Sequence, residues 1–145
     1  MLKIRKNKKY GRGVYATRTL NKNEVVEISP VIVLDEWEAK RSASTIINRY
    51  TFSWKEVESA VALGFGGLFN HSKDSNITYS NNYKNNTIKF KTTRKIKKGE
   101  QLFIDYGYEP DWAMVETSTT RHIIEKNELI ENNERKQASN SQPTH

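Results

Sequence analysis

One stretch of this chain cannot be absorbed into a packed strand or helix. Residues 68–76 read Leu68-Phe69-Asn70-His71-Ser72-Lys73-Asp74-Ser75-Asn76. Asn70, Ser72, Asp74, Ser75 and Asn76 have the short polar side chains of turns. The stretch follows an apolar run over 60–65 and the pair Gly66-Gly67. Asn70 offers an amide donor and acceptor, and His71 offers its ring. A second unusual stretch comes later: Leu102-Phe103-Ile104-Asp105-Tyr106-Gly107-Tyr108, an apolar strand pattern ending in a tyrosine followed by glycine. Any fold for this chain has to place both stretches.

The rest of the pattern is that of short strands. Leu2 and Ile4 alternate with Lys3 and Arg5, predicting a strand over 3–9. Gly11-Arg12-Gly13 interrupts the alternation, as a tight turn or a close approach of backbone to a ligand; taken alone, the turn is the better reading. Strands are predicted over 14–20 and 25–34, the latter one strand or two, with Pro30 at a bend or edge. Asp35 is placed to cap a short helix. Tyr50, Phe52 and Trp54 alternate with small polar residues, as in a strand with three rings on one face. Strands over 77–83 and 87–93 form a hairpin about Lys84-Asn85-Asn86. The turn Ile96-Lys97-Lys98-Gly99-Glu100 leads into a strand over 101–106. Beyond Pro110 the spacing is loosely helical to residue 130, and 131–145 is polar enough to be a disordered tail.

At 145 residues there is room for one modest core. The net charge of +7 directs attention to anionic partners. Residues 75–99 contain no acid and seven basic side chains, which reads as a solvated hairpin face or, more sharply, as a nucleic-acid surface. The chain has no cysteine. That excludes disulfides and thiolate metal sites and leaves the redox compartment open. The basic N-terminus lacks the apolar core of a signal peptide, and no run has the length of a membrane span. The expectation is a soluble protein made in the cytoplasm.

Taken together, the motifs resemble the SET domain of protein lysine methyltransferases. Gly11-Arg12-Gly13-Val14-Tyr15-Ala16 resembles its N-terminal glycine motif, and Asn70-His71-Ser72 followed by Asn76 its central motif. Residues 96–100 resemble the turn before its last strand. Asp105-Tyr106-Gly107 resembles the motif that carries its tyrosine. The likeness runs from about residue 3 to residue 112, and 63–74 is most similar to the compact stand-alone viral and bacterial members. It implies a mainly β (α+β) fold, a β-clip of small curved sheets, in which the C-terminal strand and tail thread past the central loop as a pseudoknot. The two opening stretches would then form one site, against the usual rule that connections do not thread loops. The implied division is a SET domain over 1–112, a helical segment over 113–130 closing the site, and the tail.

The resemblance also implies roles. The reaction transfers methyl from S-adenosyl-L-methionine to a lysine ε-amine, leaving S-adenosyl-L-homocysteine, with no metal and no covalent enzyme intermediate. Tyr106 would be the catalytic residue, its hydroxyl near the reacting methyl and amine. Gly11, Arg12 and Gly13 would present backbone groups to the cofactor's methionine end, Asn70 its side chain, and His71 mainly its backbone to adenine. No proton transfer falls to His71. Trp112 is the candidate for stacking on adenine. Tyr50, Tyr79, Ile104 and Tyr106 are the candidates for the lysine channel, where aromatic walls exclude water and attract methylammonium. A hydroxyl at Tyr79 favours monomethylation, whereas Ile104 stands where relatives carry an aromatic that sets the methyl number. Lys73 and Ser75 replace the Cys and Pro of many relatives, and the zinc-binding cysteine segment after the last strand is absent.

The implied partner is a protein with an exposed lysine, plausibly a host's histone, with nucleic acid as a further partner through the basic surface and a dimer left open. A viral or pathogen effector of this kind would be secreted or act in a host nucleus. Two alternatives of other classes stand beside it: an inactive SET-like binding module, and a basic nucleic-acid-binding β domain.

Overall fold

A computed structural model describes residues 1–107 together with Arg135, Lys136 and Ala138. The chain forms two compact units, Met1–Tyr106 and Gly107–His145. In the second, Arg135, Lys136 and Ala138 are helical. Trp112, the helix expected over 113–130 and the rest of the tail lie outside the described residues.

The first unit is mainly β and is built from two curled sheets. The N-terminal alternation forms β1 (Leu2–Asn7), which pairs antiparallel with β2 (Gly11–Ala16). The glycine motif is therefore part of a strand. The turn lies one step earlier, at residues 8–10, which corrects the turn expected at Gly11-Arg12-Gly13. Gly11 at φ 76° opens the strand in a conformation that a side chain would strain. The strand expected to continue to Leu20 ends at Ala16, and Leu20 instead makes an isolated bridge to Ile96.

The run over 25–34 is a single strand, β3 (Val25–Leu34), which changes partner along its length. It pairs with β8 (Thr87–Thr92) through Pro30 and with β5 (Ser59–Ala62) from Val31 onward. Pro30, which has no N–H to give, stands at the changeover. Asp35 caps α1 (Glu36–Ser42) with a full capping box, accepting from the Glu38 amide at 2.9 Å while the Glu38 carboxylate accepts from the Asp35 amide at 3.0 Å. A 3₁₀ helix, Ile46–Tyr50, leads into β4 (Thr51–Ser53). Tyr50 thus closes a helix and does not share a strand with Phe52 and Trp54, a correction to the three-ring face.

β7 (Ile77–Asn82) and β8 form the expected hairpin, and the sheet order is β4-β5-β3-β8-β7. Along β8, Ile88, Phe90 and Thr92 are buried while Lys89 and Lys91 are exposed, the period of a half-buried strand. Phe90 is fully buried; a ring of that size contributes about 1.5–3 kcal/mol by leaving water. It meets Phe69 at 5.0 Å and Phe52 at 6.0 Å between centroids. The backbone of a second 3₁₀ helix, Gly64–Leu68, presses on the same ring. A Cβ at Gly66 would lie 2.6 Å from Phe90 Cε2 and 2.3 Å from Ser29 Oγ, so that position has no room for a side chain.

The second sheet has the order β1-β2-β9-β6. β6 (Asn70–His71) runs parallel to β9 (Gln101–Ile104), with Asn70 opposite Phe103 and His71 opposite Ile104. The last strand is thus inserted between the N-terminal hairpin and the central motif. β9 stops at Ile104, two residues short of the expected end.

Candidate functional site

The polar stretch is pulled into the fold by a buried amide. Asn76 is 2% exposed. Its Nδ2 donates to the Gln101 carbonyl at 2.8 Å, and its Oδ1 accepts from the Phe103 amide at 2.8 Å. Its own backbone N–H donates to the Phe103 carbonyl at 3.2 Å, and its carbonyl accepts from Thr93 at 3.0 Å. One side chain therefore holds the loop against β9, with both ends of its amide used. The sequence marked Asn76 as turn-forming and as part of the central motif, but gave it no role in holding the loop to β9.

Tyr106 follows two residues after β9 and is anchored twice. Its hydroxyl donates to the Phe69 carbonyl at 2.9 Å, and its amide donates to His71 Nδ1 at 3.0 Å. The His71 and Tyr106 rings lie 5.0 Å apart. His71 is 8% exposed, with Asp105 Oδ1 at 3.8 Å from Nδ1. Accepting the Tyr106 amide occupies the Nδ1 lone pair, so this nitrogen is a positioning group and not a base. Because the hydroxyl hydrogen of Tyr106 points to Phe69, what the group can present to an incoming cation is its oxygen. No sequence signal identifies the Phe69 carbonyl, since any residue would supply one.

The glycine motif meets the central motif directly. Asn70 Nδ2 donates to the Arg12 carbonyl at 2.7 Å. The Arg12 side chain is exposed, and its Nη2 makes a long contact of 3.5 Å to the Tyr50 hydroxyl. Nothing lies within 4 Å of the space beside Gly11. Gly13 is crowded instead: a Cβ there would lie 2.3 Å from Gln101 Nε2. Gln101 Oε1 accepts from Asn7 at 3.0 Å and from the Tyr15 hydroxyl at 3.1 Å, which fixes β1, β2 and β9 together.

The structure therefore joins Gly11, Arg12, Asn70, His71 and Tyr106 through adjoining strands, with Tyr50 at the Arg12 side chain. Tyr79 is half-buried in the aromatic cluster, edge-on to Phe52 at 5.1 Å and 6.1 Å from Phe90. Ile104 is 1% exposed and belongs to the core. Among the described residues no group of three or more His, Asp and Glu side chains is placed to hold a metal ion.

The Arg12 guanidinium suits a carboxylate. The Asn70 Oδ1 and nearby carbonyls suit an ammonium, and the open side of Gly11 leaves room for close approach.

The model of the SET domain family matches residues 11–107. The chain is 36% identical over 123 residues to the Schizosaccharomyces pombe protein named "Histone-lysine N-methyltransferase, H3 lysine-37 specific", covering 84% of this chain and 83% of that one. A crystal structure of a candidate histone methyltransferase from Plasmodium falciparum aligns with TM-score 0.61 and 26% identity, over 76% of this chain and all of the other. A chain of the ctPRC2 complex aligns with TM-score 0.64 and 23% identity, over 74% of this chain and 14% of that one, a likeness of fold.

Proposed function

We propose a reaction from one premise: the chain belongs to the SET-domain family and is a protein lysine methyltransferase. The reading is methylation of a lysine ε-amine on a histone, with S-adenosyl-L-methionine as donor. The observation that carries it is the double anchoring of Tyr106 on Phe69 and His71, beside the Asn70–Arg12 bond.

S-adenosyl-L-methionine supplies, when bound, an electrophilic methyl and a sulfonium charge. Arg12 and Asn70 are the residues to hold its amino-acid end, with Gly11 admitting its approach. The substrate lysine must first lose its proton. With a reference pKa of about 10.4, roughly one lysine in a few thousand is neutral at pH 7, a cost of about 4–5 kcal/mol. An apolar channel lowers that cost by disfavouring the ammonium, as does repulsion from a neighbouring positive charge. Tyr106 then holds its oxygen toward the reacting centre while its hydrogen stays on the Phe69 carbonyl. Positioning of amine and methyl in line does the rest. Tyr50, at the Arg12 side chain, and Tyr79, in the aromatic cluster, remain the proposed channel walls, and Trp112 the proposed adenine contact.

The test is mass spectrometry of lysine methylation after incubation with core and linker histones and with a cell lysate, using methyl-labelled donor. Label on a lysine is expected from the wild type. Tyr106→Phe is expected to fold and bind the donor, with its rate reduced by about 10²–10³, the usual cost of one preorganised polar group at a reacting centre. No label from either protein, or equal label from both, sinks the reading.

A further inference from the structure

The outer face of the five-stranded sheet carries charge that the methyltransferase site does not use. Among the described residues, the five strands of that sheet contain one carboxylate, Glu27. Glu27 is turned to the inner face, where its Oε1 accepts from the Phe65 amide and from the hydroxyl of buried Ser29. On the outer face, exposed Lys89 stands between Ser80 of β7 and Ile28 of β3, and exposed Lys91 between Thr78 and Val25. At two residues' separation on one strand face the two ammoniums start about 7 Å apart. Among the described residues neither is in an ion pair, whereas Lys40, Arg18 and Arg94 are.

Lysines commonly guard the edges of sheets. That explanation does not reach Lys89 and Lys91, because β8 lies between β3 and β7 and has no open edge. Two like charges on an interior strand with no opposite charge beside them repel each other. The arrangement gains when a polyanion covers it.

Beside these lysines is a groove of about 540 Å³, lined among others by Ile28, Asn82, Tyr83, Lys84, Asn85 and Lys89. It contains no carboxylate. Its amides and hydroxyls are the groups that meet phosphate and sugar oxygens. The Tyr83 ring is 48% exposed and is held edge-on by Trp54 at 4.8 Å. A histone substrate, being basic, is repelled by such a face, but the DNA on which a histone is carried is attracted to it.

We propose that the outer face of β3, β8 and β7 binds the phosphate backbone of duplex DNA through Lys84, Lys89 and Lys91, without reading its sequence, and so holds the enzyme on a DNA-bound protein substrate. The partner rests on the methyltransferase reading; the binding surface does not.

The experiment measures affinity for a short duplex by fluorescence anisotropy across a range of salt concentrations. It uses the full chain, the K84Q/K89Q/K91Q variant, and a control, K3Q/K6Q/K8Q, with the same charge removed from exposed positions of the N-terminal hairpin, in β1 and the turn after it. Each lost phosphate contact lowers the slope of log K against log salt by about 0.9. The first variant is expected to lose about 2–3 from the slope, and the control less than one. Equal losses in the two variants overturn the proposal, because net charge would then suffice. Binding of polyglutamate as tightly as of DNA also overturns it, in favour of an acidic protein partner. Methylation of free histone is measured alongside and is expected to be equal in the wild type and the first variant. Its absence in both defeats the reading of a histone as substrate and leaves the anisotropy result standing.

Discussion

Two residues, Asn76 and Tyr106, tie the central stretch to β9 and to the residues just after it. Asn76 replaces four contacts with water by four within the protein. Removing its side chain leaves the Phe103 N–H and the Gln101 carbonyl without these partners in a largely buried part of the fold. Asn76→Ala is therefore expected to destabilise the chain by about 2–4 kcal/mol, since each buried unsatisfied group costs about 1–3. Urea unfolding checks this, and a loss below about 1 kcal/mol would show that the loop is held by something else. Tyr106→Phe is a contrasting case. It gives up one hydrogen bond, to Phe69, worth about 0.5–1.5 kcal/mol of stability. Its effect on rate is expected to be much the larger one. His71 lies between the two cases: its Nδ1 accepts from the Tyr106 amide and so helps to orient that residue.

At the scale of elements, the strands and the capped helix were legible because each follows a local rule. Alternation marked β1 and β8, the capping box marked α1, and Asn-rich turn chemistry marked the β7–β8 hairpin. The misreadings share a cause. Gly11-Arg12-Gly13 looked like a turn because glycine is permissive, but β2 is held by a long antiparallel ladder to β1 and by β9. Tyr50 looked like part of a strand because ring spacing alone does not separate a strand from a short helix entering one. The turn before β9 carries a pH dependence. The Lys97 backbone N–H, and after it the Arg94 side chain, hold the Glu100 carboxyl below its usual range. Glu24 is lowered likewise by Arg18 and by the Asn21 amide. A depressed carboxylate stabilises the fold above its unfolded value and ceases to do so as pH falls through the folded one. Stability is thus expected to be flat above about pH 4.5 and to fall below it. Glu100→Gln should flatten part of that fall in an acid titration of the thermal midpoint. An unchanged profile would put the acid loss elsewhere.

At the scale of the molecule, stability is expected to be uneven. β9 is sandwiched between β2 and β6 and is tied to Asn76, whereas neither α1 nor the 3₁₀ helix after it contains a buried residue. Hydrogen exchange should find the Phe103 amide among the slowest and the α1 amides among the fastest. Protection of α1 equal to that of β9 would contradict this. The sequence by itself determined most of the longer strands, the capped helix and the family, because turn chemistry, periodicity and the order of four short motifs are local properties. It also determined that 68–76 and 102–108 are special. Only the tertiary structure decided what joins them. The parallel pairing of β6 with β9, the Asn70–Arg12 bond and the Phe69 carbonyl under Tyr106 each connect residues far apart in the chain. Such contacts depend on backbone groups that every residue carries, and so they leave no mark on residue identity.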